Sequence, residues 1–119
     1  MKYAKEADIG ERSFRFGVRI VKMISVLSRN VATDAVGKQL VRSGTSIGAN
    51  IAEAQSAFSK KEFVYQMNIA KKEARESLFW IRMLSESGLV PEKRLGDLKD
   101  ECNQLVAILV AITKNSQKK

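Results

Sequence analysis

Arg42-Ser43-Gly44-Thr45-Ser46-Ile47-Gly48-Ala49-Asn50-Ile51-Ala52-Glu53-Ala54 reads as a helix with two glycines inside it. Leu40, Ser43, Ile47, Ile51 and Ala54 recur at steps of three and four, which lines them along one side, while Gly44, Gly48 and Ala52 make an adjacent stripe almost without side chains. An interior glycine costs a helix roughly 1 kcal/mol against alanine, so the two weaken this one by about 2 kcal/mol unless something presses on the bare backbone. We expect another helix to do so.

Working outward, the same periodicity recurs on both sides. Asp8 followed by Glu11 is spaced like a capping pair and predicts a first helix over about 9–29, with residues 1 to about 8 either a polar mobile lead or an N-terminal extension of it. It carries two apolar stripes, Phe14, Val18, Val21 and Ile24 beside Phe16, Ile20, Met23 and Leu27, which together predict a wide buried face. Thr33-Asp34 offers a start for a second helix over about 35–57, with Val36, Leu40, Ser43, Ile47, Ile51 and Ala54 as its seam. Ser59-Lys60-Lys61-Glu62 is a capping box, and a third helix follows over about 60–87. Its seam is Phe63, Met67, Ala70, Ala74, Ser77, Ile81 and Leu84, with Gly88 where a C-terminal cap belongs. Pro91 suits the first turn of a fourth helix over about 91–114, whose seam is Leu95, Leu98, Cys102, Leu105, Leu109 and Ile112 and which ends in a polar tail from Lys114 to Lys119.

No strand-like alternation competes with these four segments, and a single proline in 119 residues argues for few, long elements. The fold class is therefore all-α. Short connections and seams near 3.5 residues predict one domain over residues 1–119, an antiparallel up-down-up-down four-helix bundle. One stripe per helix suffices for a monomeric bundle. The second stripe on helix 1, the glycine face of helix 2, and an apolar surface nearly all round helix 4 from Leu105 to Ile112 exceed that, and predict subunit contacts.

Arg42-Ser43, Ser46-Ile47, Ala49-Asn50-Ile51-Ala52-Glu53, Lys61-Glu62-Phe63, Ile69-Ala70, Glu76 and Trp80-Ile81, in this order and spacing, resemble the four-helix-bundle proteins first noticed as reading frames in intervening sequences of bacterial 23S rRNA genes. The resemblance runs from the first helix to Leu89. The chain departs from it at Ala54, where that family often has a glycine after the glutamate. The resemblance implies a bundle that assembles into a ring-shaped homopentamer. A related branch, the accessory protein of diversity-generating retroelements, is a basic pentameric barrel that works with a reverse transcriptase, so the resemblance points to such an enzyme as a protein partner. It leaves the biochemical activity undefined.

Enzyme chemistry finds little support. The absence of histidine removes the commonest general base, the Ser-His and Cys-His nucleophile pairs, and the usual zinc and di-iron ligand sets. Glu73 and Glu76 stand among Lys71, Lys72 and Arg75, where local ion pairing explains them. Glu53 has small and apolar neighbours and would need a partner if buried. Cys102 lies on a seam and reads as core packing; alone it can form neither an internal disulfide nor a CxxC pair. No Gly-Lys-Ser/Thr follows Gly44 or Gly48, which argues against a phosphate-cradling loop. The expectation is a non-enzymatic protein without metal or cofactor. Met1 to Asp8 lacks the apolar core of a signal peptide and no apolar run approaches the roughly 20 residues of a membrane helix, so a cytoplasmic protein without membrane contact is expected.

Lys and Arg number 21 against 13 for Asp and Glu, and the surplus of +8 favours polyanionic partners. Arg12, Arg15, Arg19 and Lys22 form a cationic stripe on helix 1, Lys38 and Arg42 stack on helix 2, Lys60 and Lys61 open helix 3, and Lys114, Lys118 and Lys119 close the chain. The helix 1 and helix 2 cations are the candidate contacts to RNA or DNA, mainly to backbone phosphate. Gly44, Gly48, Ala52 and Trp80 are the candidate packing or oligomer residues, Trp80 with Phe79 serving as an anchor in preference to a platform for unpaired bases. The competing expectation is a protein-interaction scaffold in which the positive charge serves solubility or meets an acidic protein.

Overall fold

The computed structural model describes the backbone of residues 2–117 and the side chains of residues 9–116, so Lys118 and Lys119 of the basic tail lie outside the described residues. Four helices account for nearly all of them: α1 (Lys2–Ser25), α2 (Val31–Gln55), α3 (Lys60–Glu86) and α4 (Glu92–Gln117). There is no strand among the described residues.

The helix ends show which local signals win. Helix α1 runs straight through Asp8 and Glu11, which therefore do not cap it, because the alanines, lysines and glutamate that precede them are all good helix formers. It also stops earlier than 29: the Val26 and Leu27 amides donate three residues back to Met23 and Ile24, tightening the last turn. Asn30, not Thr33-Asp34, starts α2. Its backbone is extended and its side chain accepts the Thr33 N–H at 2.8 Å, the strongest kind of N-cap. Ser59 caps α3 as expected by accepting the Glu62 N–H at 3.1 Å. The Glu62 carboxylate, however, reaches the Phe58 N–H, one residue before the position of a reciprocal box. Gly88 ends α3 at φ +79°, a conformation that only glycine adopts without strain. Lys114 lies within α4, which continues to Gln117 and does not give way to a polar tail there.

Helix α2 packs on both α1 and α3, and α3 packs on α4, while α1 and α4 meet more sparingly. The seams of α2, α3 and α4 form the core: Leu40, Ile47 and Ile51 meet Met67, Ala74, Ile81 and Leu84, backed by Leu95, Cys102, Leu105 and Leu109. Within it, Ser77 donates across to Ser43 at 2.9 Å and Ser43 donates in turn to the Leu40 carbonyl of its own helix at 3.4 Å, so both fully buried hydroxyls are satisfied. Val106 and Ile108 of α4 are half-buried against this core, so α4 has no large exposed apolar side chain among the described residues.

Helix α1 supplies the pressure that the glycines of α2 require. A methyl group added to Gly17 would lie 3.4 Å from the Gly44 carbonyl oxygen, and one added to Gly48 would lie 3.3 Å from the Phe14 backbone nitrogen. On Gly44 it would meet Ile20 at 3.2 Å. Only one stripe of α1 is thereby buried: Phe16 and Ile20 are in the core and Met23 and Leu27 lean on it. Of the other, Ile24 also leans on the core, but the exposure of Phe14 (64%), Val18 (37%) and Val21 (44%) corrects the expectation of a wide buried face.

Gly96 of α4, by contrast, has nothing within 4 Å of an added methyl group. Gly96→Ala should therefore stabilise the protein by about 1 kcal/mol through helix propensity, whereas Gly44→Leu should destabilise it by about 1–3 kcal/mol through overpacking against Ile20. Urea unfolding midpoints that move in the same direction for both would contradict this packing.

Candidate nucleic-acid interface

The cations predicted on α1 and α2 differ in how free they are. Arg12 turns towards α4, giving Nε and Nη2 to the two carboxylate oxygens of Glu101 at 2.9 and 2.8 Å, with Nη2 also 2.8 Å from Gln104 Oε1. This bidentate pair ties α1 to α4. Arg15 pairs with Glu11 at 2.7 Å, one turn earlier, on a largely exposed surface where such a pair is worth little. Arg19 and Lys22 are exposed and, among the described residues, have no carboxylate partner. Lys38 is exposed too, at the edge of a 480 Å³ hollow lined by Ile24, Leu27, Arg29, Asp34 and Gly37.

Arg42 is committed to α3. Its guanidinium meets Glu73 Oε1 at 3.2 Å and hydrogen-bonds Glu76, whose carboxylate also accepts the Trp80 indole N–H at 3.1 Å. The Trp80 hydrogen bond foremost, and that of Arg42 after it, hold the Glu76 carboxyl below the usual carboxylate range; the Glu76 hydrogen bond raises Arg42. Trp80 is half-buried against the core, with the Phe79 ring edge-on to it at 4.8 Å between centroids. Thus Trp80 serves the α2–α3 contact and lies apart from Gly44 and Gly48, which face α1.

Beside Lys22 runs a feature that sequence reasoning assigned to the core. Phe14, Val18, Val21 and the Lys22 stem on α1, with Thr45, Gly48, Ala49 and Ala52 on α2, line an open groove of 600 Å³ with almost no polar surface. Ala52 is exposed and the shortness of Gly48 and Ala49 gives the groove its depth. The sequence signal was the second α1 stripe, and what it could not tell was which of the two stripes turns inward.

Little else in the chain offers chemistry. Glu53 is exposed and needs no partner. The Cys102 thiol lies 3.3 Å from the Ala74 carbonyl oxygen, and burial pushes its pKa up to about 12, with Glu101 adding to the rise. Among the described residues no cluster of three carboxylates or thiols converges, and no helix is long and apolar enough to cross a membrane.

Residues 5–111 match the family model described as 23S rRNA-intervening sequence protein. No curated protein matches the chain. Among solved structures, the chain is similar to a protein of unknown function from the S23 ribosomal protein family of Bacteroides thetaiotaomicron, solved at 1.70 Å. The two share 34% identity and superpose with a TM-score of 0.86 over 92% of this chain and 98% of that one.

Two measurements check the local chemistry. Glu76 has its carboxyl pKa lowered by folding, so its contribution to stability is present above the ordinary carboxylate value and lost as pH falls through the lowered one. Glu76→Gln should be less stable than the unmodified protein at neutral pH, with the gap closing on acidification; a constant gap would mean that the carboxylate charge contributes nothing. Cys102 should react with iodoacetamide at pH 8 roughly two to three orders of magnitude more slowly in the native protein than in urea, and equal rates would place the thiol at the surface.

Proposed function

We propose, since the chain belongs to the 23S rRNA-intervening sequence protein family, that it is a non-enzymatic cytoplasmic protein that assembles with copies of itself and holds RNA or DNA on the basic surface of the assembly. The observation that carries this reading is the apolar α1–α2 groove, with Lys22 in its wall and Arg19 exposed further round α1. Phe14, Val18 and Val21 together leave a contiguous apolar strip in water on one helix, the kind of surface that marks an interaction site. A second copy suits it, because the groove is nearly free of polar groups and needs an equally apolar ridge, which this chain offers in the same residues.

The protomer is read as an antiparallel up-down-up-down bundle. In support, Gly10 stands beside Gln55, Gly48 beside Phe14, Gly17 beside Gly44 and Gly37 beside Ile24, so positions on α1 rise as those on α2 fall. A ring of five is what the family resemblance suggests, and repetition around such a ring would multiply a modest cationic patch through effective concentration. Contacts would go mainly to phosphate, since no recognised base-reading motif accompanies the cations.

A protein-interaction scaffold is the second reading, favoured by the fact that Arg12, Arg15 and Arg42 already have carboxylate partners within the chain. An acidic protein, or a nucleic-acid enzyme such as a reverse transcriptase, would then be the partner.

Light scattering on the purified protein should give the mass of an oligomer, a pentamer in the favoured reading, and Phe14→Glu with Val18→Glu should reduce it to smaller species. A monomeric unmodified protein would sink the assembly. In fluorescence anisotropy with a labelled RNA, log affinity should fall with log salt at a slope of about 0.7 per phosphate neutralised on a single strand. Arg15→Glu with Arg19→Glu should weaken binding while leaving the oligomer intact, and no binding at low salt by folded protein would favour the scaffold.

A further inference from the structure

The outward face of α3 carries a second surface, which belongs to neither the groove nor the α1 stripe. Lys61, Tyr65, Asn68, Lys72, Arg75, Phe79, Arg82 and Glu86 recur at alternating steps of four and three. At about 100° per residue they fall within one third of the helix circumference, opposite the buried seam of Met67, Ala74, Ser77 and Ile81. All but Asn68 are exposed, Tyr65 62% and Phe79 51%, and Met83 beside Phe79 is 39% exposed. Phe58, just ahead of the α3 cap, is 99% exposed.

Cations flank the rings along this face, Lys61 and Lys72 on either side of Tyr65 and Arg75 and Arg82 on either side of Phe79, with Met83 and Glu86 also beside Phe79. Lys61, Lys72 and Arg75 make no close ion pair among the described residues, although Lys72 acts on the Glu76 carboxylate from a distance, and Arg82 pairs with Glu86 at 3.1 Å. The line therefore alternates ring and positive charge over about 30 Å of helix, from Lys61 to Arg82. The α1–α2 groove, nearly free of polar groups, is the opposite kind of surface. Around Phe79 the side chains of Arg82, Met83 and Glu86 form a shallow recess of 120 Å³, and the ring is steadied from below by its edge-on contact with Trp80.

Flat rings that stack on unpaired bases, interleaved with cations that follow the phosphates, are what a single strand requires, and what a duplex, its bases already stacked, cannot use. We infer that the outward face of α3, with Tyr65 and Phe79 as stacking platforms and Lys61, Lys72, Arg75 and Arg82 along the backbone, binds single-stranded nucleic acid. The inference rests on the nucleic-acid reading above and specifies a strand type and a helix that the α1 cations do not. The conformational cost is small, because the rings stand on a helix whose opposite face is locked in the core.

The test uses the full chain with fluorescein-labelled oligouridylate, oligothymidylate and a matching duplex, titrated across a salt series. Tyr65→Ala with Phe79→Ala should weaken binding of both single strands at least about tenfold and leave the salt slope unchanged, since stacking carries no counterion release. Lys72→Gln with Arg75→Gln should flatten the slope by about 1.4, two phosphates' worth. Both pairs are exposed, so circular dichroism and light scattering should match the unmodified protein. Unmodified affinity in either double variant, or a duplex bound as tightly as the single strands, overturns the inference. If in that case Arg15→Glu with Arg19→Glu still abolishes binding, the broader nucleic-acid reading survives; if the unmodified protein binds none of the probes, both readings fall.

Discussion

The backbone of α1 lies almost directly on that of α2, and much of the molecule's surface follows from that closeness. Where Gly17 faces the Gly44 carbonyl and Gly48 faces the backbone at Phe14, no side chain stands between the helices to spread them. Side chains on α1 must then go to one flank or the other. Phe16 and Ile20 go inward, to the shared core, and Phe14, Val18 and Val21 go outward and become one wall of the groove. The propensity cost of Gly44 and Gly48 within α2 is thus offset by dispersion contacts along the seam, and Gly48 also deepens the hollow on its outer side.

Charge is distributed by a similar division. The net surplus of +8 is not spread evenly over the cations. Arg12 and Arg42 each reach a carboxylate on a different helix and serve as fasteners, α1 to α4 and α2 to α3. Arg19, Lys22, Lys38, Lys61 and Arg75 face solvent without a close carboxylate partner among the described residues, and Lys72 acts on Glu76 only from a distance, so these cations remain available to the field that a polyanion would meet.

The seams of α2, α3 and α4 were legible residue by residue, because in each the large apolar residues continue one line at steps of three and four along the helix, even where α4 is apolar on its other sides. Helix α1 was not, since Phe14-Val18-Val21 and Phe16-Ile20-Met23 are adjacent stripes of equal apolarity, and only the position of Gly17 against α2 decides between them. Helix starts were ambiguous for a local reason: Asn30 and Thr33-Asp34 both offer a side-chain oxygen, and the outcome depends on where α1 lets go. The basic residues illustrate a third limit. Local spacing placed Arg12 and Arg42 on cationic faces, yet their carboxylates lie 89 and 31 residues away in the chain, visible only once the helices are packed.

The hydroxyl pair of Ser43 and Ser77 has a further consequence for how the chain reaches this state. Apolar seams built on repeating steps of three and four tolerate sliding, since a helix displaced by one turn still meets leucine, isoleucine and alanine. A displaced α3 would take the Ser77 hydroxyl away from its acceptor while Ser43 kept its bond to Leu40, so the desolvation penalty of an unmade hydrogen bond, about 1–3 kcal/mol, would fall on Ser77. The pair therefore works as an alignment pin: it adds modestly to the depth of the native minimum while raising the competing alignments of α2 and α3 above it.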